Sequence, residues 1–121
     1  MKVYLAGPMR GYPAYNFPAF HAAAKELRER GHEVWSPAER DEQDDSFNPN
    51  KNGEHPKGLR YYMRFDLPAV LDADAVVLLP GWEKSVGANL EVHVAKTCGI
   101  PVYDIATVLA EQPLEGLNLT T

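Results

Sequence analysis

Cysteine is almost absent from this chain of 121 residues: Cys98 is the only one, so no intrachain disulfide can form, which fits a reducing compartment. It reads as a small buried hydrophobe on a helix. Dense basic runs are missing too. With 12 Lys and Arg against 17 Asp and Glu, the formal charge is −5, so a phosphate backbone finds no electrostatic footprint. A small ligand is therefore expected rather than nucleic acid. No apolar stretch approaches the roughly 18 residues that cross a bilayer, and MKVYLAG lacks the apolar core of a signal peptide, so a cytoplasmic protein without membrane contact is expected. His21, His32, His55 and His93 are scattered, and neither CxxC nor HExxH occurs, so neither metal nor cofactor is expected.

What is present suits one hydrophobic core and one domain over residues 1–121, at 45% hydrophobic content. Lys2 to Ala6 reads as a β-branched and aromatic strand that stops at Gly7-Pro8. Phe17, Phe20, Ala24 and Leu27 recur at helical spacing, with Asn16 as N-cap, Pro18 in the first turn and Gly31 as the stop. Glu33 to Ser36 returns as a strand, which makes a right-handed βαβ unit with parallel pairing. Residues 38–57 are acidic, then rich in Asn, Pro and Gly, and read as a flexible loop, either a lid or a disordered segment.

A helix is expected over Leu59 to Asp72, broken or restarted near Pro68 with Asp66 as a cap. Ala75 to Leu79 is a continuous apolar run that suits the middle of a parallel sheet. A helix from Gly87 to Cys98, a strand from Pro101 to Asp104 and a short helix over Thr107 to Glu111 complete the pattern. The alternation predicts an α/β fold: a doubly wound, Rossmann-like parallel sheet of about four to five strands flanked by helices. Ligands of such sheets bind outside the carboxyl ends of the strands. The segments GPMRGYPAYN and PGWEKSVG should therefore face each other across a site.

Within those segments Arg10, Ser85 with Gly87, and Glu91 form a plausible pocket. The unpaired amides at the start of the helix behind Ser85 suit an anion, and a carboxylate one turn further on could act as nucleophile or base. A plainer reading makes Ser85 an N-cap, Glu91 a solvated helix residue and Arg10 a surface charge. Asp66 is either a cap or an acid at the head of the cleft, while Asp72 and Asp74 read as solvated turn residues. Met9, Tyr12, Tyr15 and Trp82 either stack on a nucleobase or pack the loops.

Three segments, YLAGPMRG, DLPAVLDADAVVLL and SVGANLEVHVAKTCGIPVY, together resemble the nucleoside 2-deoxyribosyltransferase superfamily over most of the chain. The resemblance is closest to the 2′-deoxynucleoside 5′-monophosphate N-glycosidases and to a small, little-characterised bacterial and phage subgroup. It implies that Ser85, Gly87 and Glu91 match a Ser-x-Gly-x-Gly-x-Glu pattern, with Asn89 in place of the second glycine. Gly7, Met9, Arg10 and Gly11 then match a loop that holds phosphate and sugar, and Asp66-Leu67 matches an Asp-Leu pair that serves proton transfer to the departing base. Where the nucleoside transferases carry an aspartate this chain has Ser85, which favours a phosphate, because a carboxylate would repel a dianion.

The implied activity is cleavage of an N-glycosidic bond through a covalent deoxyribosyl intermediate on Glu91, resolved by water or by a second base. The implied assembly is a homodimer or higher homo-oligomer, with Tyr61, Tyr62 and Met63 either at the contact or in the core. Asn89 and the 38–57 segment depart from the pattern. They leave open a nucleotide-sensing module without turnover, or an accessory protein with a dead site.

Overall fold

The computed structural model describes residues 1–44 and 58–110. Its centre is a parallel sheet of four strands in the order β2-β1-β3-β4, with β1 at Lys2–Ala6, β2 at Glu33–Trp35, β3 at Ala75–Leu78 and β4 at Val102–Asp104. Val3 pairs with Val34 on one side and Ala75 on the other, so the most apolar strands, β1 and β3, are the inner pair. Burial follows from that position. Every residue of β3 is buried, whereas β4, at an edge, exposes Tyr103 and Asp104. The α/β class and the strand count therefore match the alternation of the sequence.

Helices cover both faces. The helix α1, Phe17–Glu29, lays Phe17, Phe20, Ala24 and Leu27 against Val3, Leu5 and Val77 of the sheet, together with Ile105 of a short helix, α5, at Ile105–Ala110. On the opposite face α3, Leu59–Asp72, and α4, Val86–Thr97, bury Val70, Ala88, Val92 and Ala95 against Tyr4, Ala6, Val76 and Leu78. Leu27 is fully buried, a burial worth about 1.5–3 kcal/mol. Gly31, at φ 93°, makes the sharp turn from α1 into β2.

Several expectations are corrected. The stretch read as a loop from residue 38 begins with a helix, α2, at Pro37–Glu42. Its sequence PAERDE has almost no apolar stripe, but Pro37 pre-sets the first turn and Ala38 is fully buried. Arg28 of α1 also grips Glu39 with two nitrogens, at 2.6 and 2.7 Å. The rest of that expected loop, residues 45–57, lies outside the described residues. Helix α3 runs unbroken through Pro68, because Arg64 and Pro68 both face solvent and water can serve the carbonyl that loses its donor. Asp66 is therefore a buried mid-helix residue, not a cap.

Asn16 occupies the N-cap position of α1 but does not cap. Its amide donates to the Pro8 carbonyl at 2.9 Å instead. It ends a run of three non-glycine residues in left-handed backbone, Ala14, Tyr15 and Asn16 at φ 51°, 51° and 62°, which costs roughly 1–2 kcal/mol each. Burial of Tyr15 and the Asn16 bond oppose that strain and hold residues 7–16 in one shape. Cys98 is exposed at the C-cap of α4, not buried, because α4 turns its Ala88, Val92, Ala95 face to the sheet and its last turn leaves the core. Asp72 and Asp74 are structural: Asp72 pairs with the Lys2 ammonium at 2.9 Å, and Asp74 accepts from the Lys2 amide at 2.8 Å. No helix among the described residues is long and apolar enough to cross a membrane.

Candidate active site

The segments after β1 and β3 meet at the carboxyl edge of the sheet. Gly81 touches Tyr12 so closely that a Cβ there would stand 2.6 Å from the tyrosine hydroxyl, and a Cβ on Gly7 would stand 2.8 Å from that of Leu79. At Gly7 only glycine permits the approach, and at Gly81 the backbone itself, at φ 88°, favours glycine. Between these segments, α2, α3 and α4 lies a cavity of about 240 Å³. That is slightly below the range of about 300–1,000 Å³ common for small-molecule sites.

Helix α4 supplies two of its groups. Ser85 is the N-cap, and its hydroxyl accepts from the Ala88 amide at 3.1 Å. Gly87, one residue into the helix, lines the cavity, and a Cβ there would find only ordinary contact with Leu59 and Met63. Glu91 follows on the inward face of α4, only 4% exposed. The hydroxyl of Tyr4, on β1, donates to its Oε2 at 2.7 Å, and the Tyr4 ring stacks on Trp35 with centroids 5.4 Å apart. The inner strand thus fixes the Glu91 carboxyl.

Asp66 lines the same cavity from α3, 7% exposed, and its carboxyl has no hydrogen-bond partner among the described residues. Burial, reinforced by the nearby Asp41 charge, raises it to about 7. Burial and the Asp66 charge push Glu91 well above the usual carboxylate range, and the Tyr4 hydrogen bond is the opposing pull. Two such carboxyls share protons as a pair, and near neutral pH the pair retains a proton. The Tyr4 hydroxyl is placed to hold the charged form of Glu91.

Gly7, Met9, Arg10, Asp66, Ser85, Gly87 and Glu91 line the cavity, as does Tyr12. Four expected site residues lie outside its lining. Tyr15 is 1% exposed in the core beneath α1, drawn in by the left-handed turn, so the loop-packing alternative holds for it. Trp82 packs against the α3–α4 core, and Gly11 makes a turn at φ 87°. Asn89 faces solvent, where its amide donates to the carbonyls of Ser85 at 2.8 Å and Glu83 at 3.0 Å. It braces the turn before α4 from outside. Tyr62 is buried and, with Met63, lines the cavity, while Tyr61 donates to Asp44 at 2.7 Å.

Two residues escaped the sequence reading. Tyr4 looked like ordinary strand core. Asp41 was one acid in an acidic stretch, yet it is 2% exposed and lines the cavity from α2. Burial raises it to about 6, against the downward pull of the Arg40 guanidinium 3.3 Å away. The only available signal was Pro37 after a strand, the mark of a new helix whose fifth residue is Asp41.

No match was found among curated proteins. Among solved structures, the chain is similar to the 2-deoxyribosyltransferase of the psychrotolerant bacterium Bacillus psychrosaccharolyticus, at 24% identity and a TM-score of 0.64, over 86% of this chain and 71% of that one. At that identity the likeness establishes the fold that the sequence resemblance implied. The family described as a domain of unknown function, DUF4406, matches residues 1–104, and the chain belongs to that family.

Proposed function

We propose that the protein cleaves the N-glycosidic bond of a 2′-deoxynucleoside 5′-monophosphate, by hydrolysis or by transfer to another base. The observation that carries this reading is the Glu91–Asp66 pair: two buried carboxyls in one cavity, one held by the Tyr4 hydroxyl and the other without a hydrogen-bond partner among the described residues. Deoxyribosyl transfer, the activity of the structurally similar 2-deoxyribosyltransferase, has the same chemical demand. Cleavage builds positive charge on the sugar and negative charge on the departing base. A buried carboxylate answers the first and a buried carboxylic acid the second.

In this scheme Glu91 attacks the anomeric carbon as the bond to the base breaks, and Asp66 gives its proton to the leaving base nitrogen. A water or a second base then attacks the same carbon, releases Glu91, and returns a proton to Asp66. The 5′-phosphate lies at the start of α4, where Gly87 leaves room for it and the helix dipole attracts it. Arg10, exposed at the mouth, adds a countercharge.

The test follows free base by chromatography when the protein and its Glu91→Gln variant are incubated with each 2′-deoxynucleoside 5′-monophosphate and with the matching nucleosides. Release from the phosphorylated forms only, reduced about 10⁴-fold or more in the variant, is expected. Equal release by the variant would remove Glu91 as nucleophile. Tight binding without release would favour the sensing module.

A further inference from the structure

Resting on that reading of the cavity, we propose that Asp41 selects the base, and that it selects guanine, whose edge alone offers two adjacent N–H donors. The topology sets the direction of the ligand. Ser85 follows β3 and Asp41 follows β2, with β1 between them, so the two strand ends stand two inter-strand spacings apart, about 9–10 Å. A nucleoside monophosphate bridges that span from phosphate to base edge. With the phosphate at α4, the sugar lies over the end of β1, where Tyr4 holds Glu91, and the base points toward α2.

The group that waits there is an acceptor. Asp41 is buried and lines the cavity; burial raises it to about 6, with the Arg40 guanidinium pulling it back toward the charged form. Arg40 reaches only Oδ1, at 3.3 Å, and Oδ2 has no hydrogen-bond partner among the described residues. The Arg40 guanidinium also lies 3.5 Å from the Phe65 ring centroid, which fastens α2 to α3 and keeps the carboxylate in place. A carboxylate accepts with both oxygens and donates with neither.

Guanine presents N1–H beside the N2 amino group and satisfies both oxygens at once. In adenine and cytosine the amino group stands beside a ring-nitrogen acceptor, and in thymine the single N–H lies between two carbonyls. Each of these sets a lone pair against the carboxylate, an arrangement that costs more in a buried site than in water.

The test is calorimetric titration of the Glu91→Gln protein with the 5′-monophosphates of deoxyguanosine, deoxyadenosine, deoxycytidine and thymidine, repeated after adding Asp41→Asn. The guanine nucleotide is expected to bind about 10-fold or more tightly than the other three, and Asp41→Asn to erase most of that preference while leaving the others nearly unchanged. Equal affinities for all four would overturn this inference and leave the nucleotide site standing. A preference that survives Asp41→Asn would take the role away from Asp41. No binding by any nucleotide would overturn the site and the inference together. The comparison of the four nucleotides needs only the Glu91→Gln protein, so it stands even if Asp41→Asn disturbs the fold.

Discussion

The cavity has two sides built on one plan. After β3 comes Ser85, then α4, with Glu91 as its sixth residue; after β2 comes Ser36, then α2, with Asp41 as its fifth. Both serines stand at N-cap positions, and both helices turn a carboxylate inward to within a few per cent of full burial. They differ in support. The Ser85 hydroxyl caps its helix, whereas the buried Ser36 hydroxyl has no hydrogen-bond partner among the described residues. Glu91 receives a neutral phenol and shares its surroundings with Asp66, so the pair keeps a proton. Asp41 faces a guanidinium and loses its own near pH 6. Equal burial thus yields a proton-holding pair on one side and an anion on the other, and the nearest partner decides which.

Asp66→Asn probes that division most strongly. With no acid for the leaving base, turnover of the nucleotide should fall about 10²- to 10⁴-fold while affinity changes little, in base-release kinetics. The same variant tests linkage. A carboxyl whose folded value is raised from 3.8 to about 7 binds more protons in the folded state than in the unfolded one across that interval. Stability is therefore greatest below about pH 4 as far as this group is concerned, and declines as pH rises through 7. Urea unfolding should show Asp66→Asn gaining on the wild type by a few kcal/mol between pH 4 and pH 8, an upper figure because the carboxyls are coupled. If the gap does not change with pH, Asp66 is not titrating in the folded protein.

Tyr4→Phe removes the hydrogen bond that the Glu91 side chain receives among the described residues and leaves the Asp41 side untouched. A bond to a charged group is worth about 1.5–3 kcal/mol, so turnover should drop about 10- to 150-fold, and the acid limb of its pH profile should move upward as Glu91 becomes harder to ionise. An unchanged pH profile would mean that Tyr4 only packs.

Gly87→Ala has the smallest expected effect and separates fold from site. A Cβ there meets nothing closer than 3.5 Å, and alanine favours the helix by up to about 1 kcal/mol, so thermal melting should rise slightly. The added methyl stands 4.0 Å from the Ser85 hydroxyl, at the end of the cavity assigned to phosphate. A several-fold weaker hold on the monophosphate, with no loss of affinity for the unphosphorylated nucleoside, is expected by calorimetry. Equal weakening of both would move the phosphate elsewhere.

The better-supported side of the cavity was also the more legible one. Ser85, Gly87 and Glu91 sit in a helix with a cap, a periodic apolar face and a glycine stop, and such signals act within a turn or two of chain. Helix α2 has six residues, four of them charged, so its burial depends on Arg28 of α1 and on Phe65 of α3. No local pattern announces contacts of that kind. Tyr15 and Cys98 make the same point from opposite directions: a loop aromatic went into the core because a strained turn sent it there, and a helix-end cysteine stayed outside because its helix ran past the sheet.

Local chemistry along the chain was enough for the alternation of strands and helices, for β3 as an inner strand, and for loops that meet at the carboxyl ends of β1 and β3. Periodicity, caps and β-branched runs act through neighbours in sequence, and parallel βαβ units admit few arrangements. Tertiary structure alone decided that Tyr4, Asp41, Asp66 and Glu91, from β1, α2, α3 and α4, share one environment. The charge each acid carries depends on that shared burial and on partners far away in sequence. Protonation state is therefore a property of the packed sheet edge, and no single segment of the chain contains it.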